Sequence, residues 1–470
     1  KGADAIVRVT GRSEILKANT GSVSSVSTFT WEAVDPVTEP HDASIGLVPF
    51  ATDSQVELDW DGDTLVAPAQ YTVYRSMSEG VTTDNFLATT TESTYTDTSV
   101  TNGEIYYYAV SVSDGGAGEP ELREVISAQP IQAAPADSPN IIFFIVDDQN
   151  RDEVACYGGQ VLTPNLDRLA AEGMRMDEGH SVATVCTPSR YSMFTGRYPG
   201  SSTWPAYLEA FPVNRHGAPE FNVGLEDDNM NVGNALRLAG YVTGHVGKLH
   251  VGAGHEIGIS GLPEDPEVIA GWQAHEFSTR QWVMERGFSW AKNVYSGNTE
   301  DPYNRHNPEW TLEAALEFME LNQDRPFYLH YCTTMMHGGS SNWNSALEYP
   351  LYSGAGLLDE APEPEFRSSI PDLVDAAGFG PETYGFTWMD ATVGAMLDKL
   401  KELGIDDNTL FVFVTDHGTD GKFSLNDYKG TSIPFIVRWP DVVPAGSVSS
   451  NLVQNTDMVP TFFDVAGVTK

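Results

Sequence analysis

Ile141-Ile142-Phe143-Phe144-Ile145-Val146-Asp147-Asp148 divides this chain of 470 residues into two kinds of sequence. Six apolar residues in a row mark a strand buried on both faces, and two carboxylates follow it at once. Upstream the pattern is different. Val56-Glu57-Leu58-Asp59-Trp60, Tyr71-Thr72-Val73-Tyr74 and Tyr106-Tyr107-Tyr108-Ala109-Val110-Ser111-Val112 alternate with period two. Asp61-Gly62-Asp63 and Thr101-Asn102-Gly103 supply turns between such runs. Short strands with frequent turns over residues 28–133 predict an all-β sandwich. Residues 1–27 read as a linker or the end of a preceding domain, and the Ala/Pro-rich stretch 134–139 as a linker.

Downstream of the dividing stretch, strands and helices alternate, which predicts an α/β sandwich around a mostly parallel sheet over residues 140–470. Tyr241–Val246 leads into Gly247-Lys248-Leu249-His250, and Phe327–Cys332 leads to His337. Thr409–Val414 leads into Thr415-Asp416-His417-Gly418. A helix is expected to open at Thr163-Pro164, with Thr163 as cap and Pro164 in its first position. Another is expected over 382–403, closed by Gly404. Open α/β sheets bind ligands beyond the carboxyl ends of their strands. Asp147, Asp148, Lys248, His250, His337, Asp416 and His417 are therefore expected at one site, together with Cys186.

Composition limits what that site can serve. Lys and Arg number 26 against 66 Asp and Glu, a net charge of −40. Such a charge argues against nucleic acid and anionic membrane surfaces as partners and suits a salty medium that screens self-repulsion. No apolar run reaches the roughly 18 residues of a membrane span. Three cysteines, Cys156, Cys186 and Cys332, make no disulfide scaffold. With no initiator Met and no signal peptide, the chain reads as a mature or trimmed fragment, and an extracytoplasmic home, periplasmic or secreted, is expected.

Cys186-Thr187-Pro188-Ser189-Arg190, continuing Tyr191-Ser192-Met193-Phe194-Thr195-Gly196-Arg197, resembles the signature of the type I sulfatases of the alkaline phosphatase superfamily. The resemblance spans about 139–467 and implies that fold. It implies that Cys186 is oxidised to formylglycine by a maturation enzyme, giving a diol whose second hydroxyl expels sulfate after the first has attacked. Asp147, Asp148 and Asp416 match the metal carboxylates, and with a diol oxygen from the converted Cys186 as a further metal ligand they make an oxygen-rich set suited to Ca²⁺ or Mg²⁺. His417 stands where many members carry Asn, so the metal's identity stays open between hard and softer ions. Arg190 matches the arginine that holds the nucleophile, Lys248 a sulfate-binding lysine, and His250 the histidine on the diol. His337 matches the acid facing the leaving group, although the usual His-x-Pro-His is absent. Lys429, in Tyr428-Lys429-Gly430, matches the second sulfate-binding lysine, although the loop after it is short and lacks an arginine usual there.

Members usually continue into a small C-terminal subdomain, expected here to be missing or reduced. Asp457 is given no catalytic role, and Cys156 and Cys332 read as structural. Residues 28–133 resemble a fibronectin type III module, taken as a spacer or docking domain. Trp204, Arg215, His216, Trp272, His275, Arg280, Trp282, Arg305, His306 and Trp310 match no motif, and suit either a sulfated sugar or simple packing.

These residues predict a metal-dependent sulfatase acting on a sulfated carbohydrate. The carbohydrate follows from the acidic composition and the appended sandwich. Two rivals remain: a phosphodiester or phosphonate monoester hydrolase with the same nucleophile, and an inactive glycan-binding protein.

Overall fold

The structure, a computed structural model, describes residues 47–60, 70–113, 122, 125–212, 217–252, 259–338, 343–424 and 428–468. The expected linker 1–27, the Asp61-Gly62-Asp63 turn, Arg215 and His216 lie outside the described residues. Seven strands form the N-terminal part: β1 (Val48–Thr52), β2 (Gln55–Asp59), β3 (Gln70–Ser76), β4 (Phe86–Thr90), β5 (Thr94–Asp97), β6 (Tyr106–Ser113) and β7 (Val125–Ala128). They make two antiparallel sheets, β1-β2-β5 and β4-β3-β6-β7. Period-two alternation sends Val56 and Leu58 from one sheet, and Tyr71, Val73, Tyr108 and Val110 from the other, into one core. The Trp60 ring meets Tyr71 edge-on, 5.2 Å between centroids. Inside, Asp97 accepts hydrogen bonds from Tyr108 (2.8 Å) and Arg75 (2.6 Å).

The second part is built on one sheet of eight strands: β8 (Asn140–Val146), β9 (Met174–His180), β10 (Val242–Lys248), β11 (Trp290–Tyr295), β12 (Phe327–Cys332), β15 (Thr409–Thr415), β16 (Phe435–Arg438) and β17 (Ser447–Gln454). A small hairpin, β13 (Tyr352–Ser353) and β14 (Gly356–Leu357), stands apart. The order is β11-β10-β12-β8-β15-β16-β9-β17. Only β16 runs against its neighbours, so the sheet is mixed but mostly parallel. β8 lies centrally and is buried along its whole length. Its even residues, Ile142, Phe144 and Val146, join the core beneath the helices Pro164–Glu172, Pro308–Leu321 and Tyr384–Leu403. Its odd residues, Ile141, Phe143 and Ile145, join the core beneath Cys186–Thr195, Val232–Leu238 and Met458–Val465. That double burial is why the strand reads as an unbroken apolar run.

One of the three expectations about helix ends comes out differently. Pro164 opens its helix and Gly404 closes Tyr384–Leu403 in the left-handed conformation (φ 69°), as expected. Thr163, however, makes no side-chain cap; its Oγ1 accepts from the Ala155 amide (2.9 Å). The helix's free amides, Asn165 N and Leu166 N, donate instead to the buried Asp390 carboxylate (3.0 and 2.7 Å). A long-range carboxylate does the work a local threonine was expected to do. The stretch 134–139 is docked at its start: Ala134 N donates to Gly240 O (3.0 Å).

His245 and His330 lie fully buried on β10 and β12, their rings stacked at 5.4 Å. Burial, with Arg190 nearby, pushes His245 down to about 3. Burial, His245 and Arg190 push His330 well below the usual range. Unfolded, both titrate near 6.5. Below that pH the unfolded chain binds protons the fold refuses, so stability present above pH 6.5 drains away as pH falls. For His245 the slope is on the order of 1 kcal/mol per pH unit between roughly pH 6 and pH 4, and His330 acts in the same direction. His245→Leu is expected to flatten this acid limb in urea melts compared across pH; an unchanged slope would show that His245 does not contribute.

Candidate active site

The parallel strands deliver their chemistry at one edge. Asp147 and Asp148 follow β8, Lys248 ends β10, His337 lies beyond β12, and Asp416 and His417 follow β15. Lys248 owes its position to the residue before it. Gly247 sits in a bulge of β10 with φ 84°, and a Cβ there would stand 1.8 Å from the Cys332 carbonyl oxygen; only glycine fits. Asp148 (φ 58°) and His250 (φ 56°) hold the same left-handed region with full side chains, strain of about 1–3 kcal/mol each that the surroundings must hold in place.

Cys186 opens the buried helix Cys186–Thr195. Its Sγ lies 3.3 Å from His417 Nε2, 4.0 Å from Asp148 Oδ1 and 3.9 Å from Lys422 Nζ. One turn on, Arg190 is wholly enclosed. Its Nε donates to Asp416 Oδ2 (3.0 Å), its Nη1 to the Lys248 carbonyl (3.0 Å), and its Nη2 stands 3.3 Å from Asp147 Oδ1. Ser189 Oγ donates to the Asp416 carbonyl (2.5 Å) and accepts from Asn455 Nδ2 (2.7 Å). The helix is thereby tied to the ends of β8, β10 and β15 at once.

Asp147, Asp148 and Asp416 are buried, with carboxylate oxygens within 4.8 Å of one another. Burial opposes charge on Asp147, but Lys248 (Nζ to Oδ2 2.5 Å) and Arg190 hold it well below the usual carboxylate range. Burial also opposes Asp148, but His417 overcomes it; Lys422 Nζ adds a contact of 2.5 Å to Oδ2. Asp416 is pushed up to about 6, by burial and then by Asp147. Burial also raises the Cys186 thiol, so the unmodified thiol is a poor nucleophile at neutral pH. The residues fit a divalent cation. Asp147 Oδ1 has no hydrogen-bond partner among the described residues. His417 Nδ1 donates to the Gly418 carbonyl (3.0 Å), which turns Nε2 to the cluster, 2.8 Å from Asp148 Oδ1. Against burial, Asp416 and Asp148 raise its affinity for protons; a histidine oriented this way can serve as a metal ligand once that proton is lost.

Most expected residues are therefore gathered here. His337 Nε2 lies 3.8 Å from Asp148 Oδ2 and accepts from Asn298 Nδ2 (3.2 Å). His250 is buried two residues beyond Lys248, its ring 5.5 Å from Phe221. Lys429 is the exception. It lies in the short helix Tyr428–Thr431, with a side chain 58% exposed and its Nζ on Asp420 Oδ2 (2.9 Å). The lysine beside Cys186 is Lys422. Its loop carries neither strand nor helix pattern, and only the Gly421-Lys422 pair close behind Asp416 could have signalled it. Asn298 was also missed; its Oδ1 accepts from Lys248 Nζ (2.5 Å). Trp272 and Trp310 prove to be core residues. Arg280 and Arg305 pair with Glu276 and Asp301. Cys156 and Cys332 are free thiols.

Residues 139–468 match the sulfatase family. An ulvan-active sulfatase of Formosa agariphila is 28% identical over 71% of this chain and 55% of its own length. Human arylsulfatase A is 27% identical over 73% of this chain and 67% of its own. A solved structure from Bacteroides thetaiotaomicron, reported with the metabolism of multiple glycosaminoglycans, shares the fold. It has a TM-score of 0.50 and 18% identity, and the match covers 71% of this chain and 78% of that one. The chain belongs to the sulfatase family. It spans only about 55–67% of the length of these curated relatives.

Lys422→Ala is expected to lower kcat/KM for a sulfate ester by about a hundredfold, the usual cost of losing one charged donor in an enclosed site. Lys429→Ala is expected to change it less than about threefold. The reverse order in steady-state kinetics would restore the sequence assignment.

Proposed function

We propose that the chain hydrolyses sulfate esters of a carbohydrate, with a nucleophile made by oxidising Cys186 to formylglycine and with calcium, or magnesium, held by Asp147, Asp148, Asp416 and His417. The observation that carries this reading is the position of Cys186 Sγ, buried within 4 Å of a carboxylate, an imidazole and an ammonium group. A bound divalent cation and the formylglycine diol together supply an activated hydroxyl and a built-in route for sulfate release.

The chain's own residues do the rest. Lys248 and Lys422 flank the position of the nucleophile and provide ammonium donors for the oxygens of an anionic ester. Arg190 fixes Asp147 and Asp416 and so holds the cation site in shape. His337 stands on the open side, where it can pass a proton to the departing oxygen. Burial and Lys248 lower its affinity for protons against the pull of Asp147 and Asp148. His250 is given the diol-side role. Lys429 falls out of the anion site, and Lys422 takes its place.

The three- and four-stranded sheets of residues 47–128 support a fibronectin type III-like module acting as a spacer or docking domain. The acidic surface supports an extracytoplasmic setting, where a maturation enzyme would act on Cys186. Among the described residues no helix is long and apolar enough to cross a membrane.

The test is hydrolysis of an aryl or sugar sulfate against an aryl phosphate diester. It uses calcium-loaded protein whose Cys186 conversion is confirmed by peptide mass. Sulfate is expected to be released at least about a hundredfold faster than the diester is cleaved, and Cys186→Ala to abolish it. Preference for the diester would move the protein to the phosphohydrolase branch. Binding without turnover of either ester would leave a glycan-binding protein.

A further inference from the structure

A recess of about 190 Å³ opens beside the reaction centre. Asp147 and His337 belong to both; Asn298, Thr299, Tyr303, Asn304 and His306 form much of the remaining polar wall. We propose that this recess is the subsite for the sugar that departs, and that it is built for a single uncharged ring. The proposal rests on the sulfatase reading above and narrows its substrate class to monosulfated neutral sugars, against uronic acids.

Size comes first. The recess is smaller than the roughly 300–1,000 Å³ of pockets that enclose drug-sized ligands. One ring fits beside His337, and further sugars must lie outside. Chemistry comes second. The wall offers amides, hydroxyls and imidazoles, which suit the donor-and-acceptor hydroxyls of a sugar. Among the described residues lining it, Asp147 is the one side chain charged throughout the neutral range, and it is anionic; the proton of His337 is the one it passes to the departing oxygen. Burial pushes His306 down to about 4, so it offers no cation near neutral pH. Arg305 is turned elsewhere, onto Asp301, Ser345 and the Tyr349 ring.

Asn298 shows how the wall is joined to the centre. An ammonium group can only donate, so the Asn298 atom on Lys248 Nζ is its carbonyl oxygen. The amide's NH₂ must then face His337 Nε2. This orientation fixes the wall against the residue that faces the leaving oxygen. A uronate placed here would lose water from its carboxylate, and the ammonium behind the wall, Lys248, is already held by Asp147 and Asn298. Burying an unpaired charge is costly, and the −40 background adds to it.

The test is calorimetric binding to calcium-loaded Cys186→Ala protein, which has no nucleophile at that position and so cannot turn the probes over. Three probes are compared: inorganic sulfate, a monosulfated neutral hexose and a monosulfated hexuronate. The neutral sugar is expected to bind at least about tenfold tighter than the uronate. Asn304→Ala and Thr299→Ala are each expected to weaken the neutral sugar at least about fivefold more than they weaken inorganic sulfate. Equal affinity for the two sugars, with sulfate still binding, would overturn the subsite alone. Failure of all three probes to bind would overturn the anion site of the preceding section, and the subsite with it.

Discussion

Three carboxylates held together in a dry place are the constraint on which the catalytic half depends. At an effective dielectric near 20, two like charges about 4.8 Å apart repel by roughly 3–4 kcal/mol. Three such pairs among Asp147, Asp148 and Asp416 approach the order of 10 kcal/mol, which rivals the net stability of a whole domain. The cluster therefore exists only because cations are built around it. Arg190 reaches two of the carboxylates, Lys248 one and Lys422 one. The same cations flank Cys186, so the groups that make the carboxylates tolerable are also the ones the proposed function assigns to an anionic ester.

The fold is the means of bringing these charges together. β8 and β15 lie side by side and in register, Val146 opposite Thr415, so the carboxylates that follow each strand arrive together. Asp148 N donates to Asp416 Oδ1 (3.0 Å) and so fixes one relative to the other. Two strands away from β8, β10 brings Lys248 with its carbonyl turned to Arg190. Each contact joins segments far apart in sequence, and none would survive a slip of one residue, which would send Asp147 to the opposite face.

This explains which parts were legible in the sequence. A central parallel strand is apolar on both faces, so Ile141–Val146 and Thr409–Val414 announce themselves, and the polar residues after them mark the site by position. Cys186 and Arg190 lie four residues apart on one helix and are readable as a unit. What sequence could not give was the course of irregular chain. Lys422 and Lys429 are seven residues apart, one in a loop and the other in a four-residue helix too short to show periodicity, and only the packed structure shows which side chain turns inward. Asn298 and Asp390 were hidden for a related reason. Each acts through partners on distant segments, Lys248 and His337 for one, Asn165 and Leu166 for the other, and no local pattern encodes such a bond. The N-terminal sandwich was legible as short alternating strands because each has one face in a core and the other outside it.

The overall charge gives the cations at the centre their meaning. A chain with 40 more acidic than basic residues repels any anion that approaches it. Salt screens that repulsion beyond about 8 Å at physiological ionic strength, and beyond shorter distances in more saline media. Inside the site the screening fails, because ions are excluded, and there Lys248, Lys422 and Arg190 set the field. The two problems are separated by distance: the medium quiets the acidic surface, and on the proposed function three buried or half-buried cations would attract the ester once it is within reach. A neutral surface would not need this division. An acidic one does, and that is why each cation at the centre is fixed by a named carboxylate rather than left to wander.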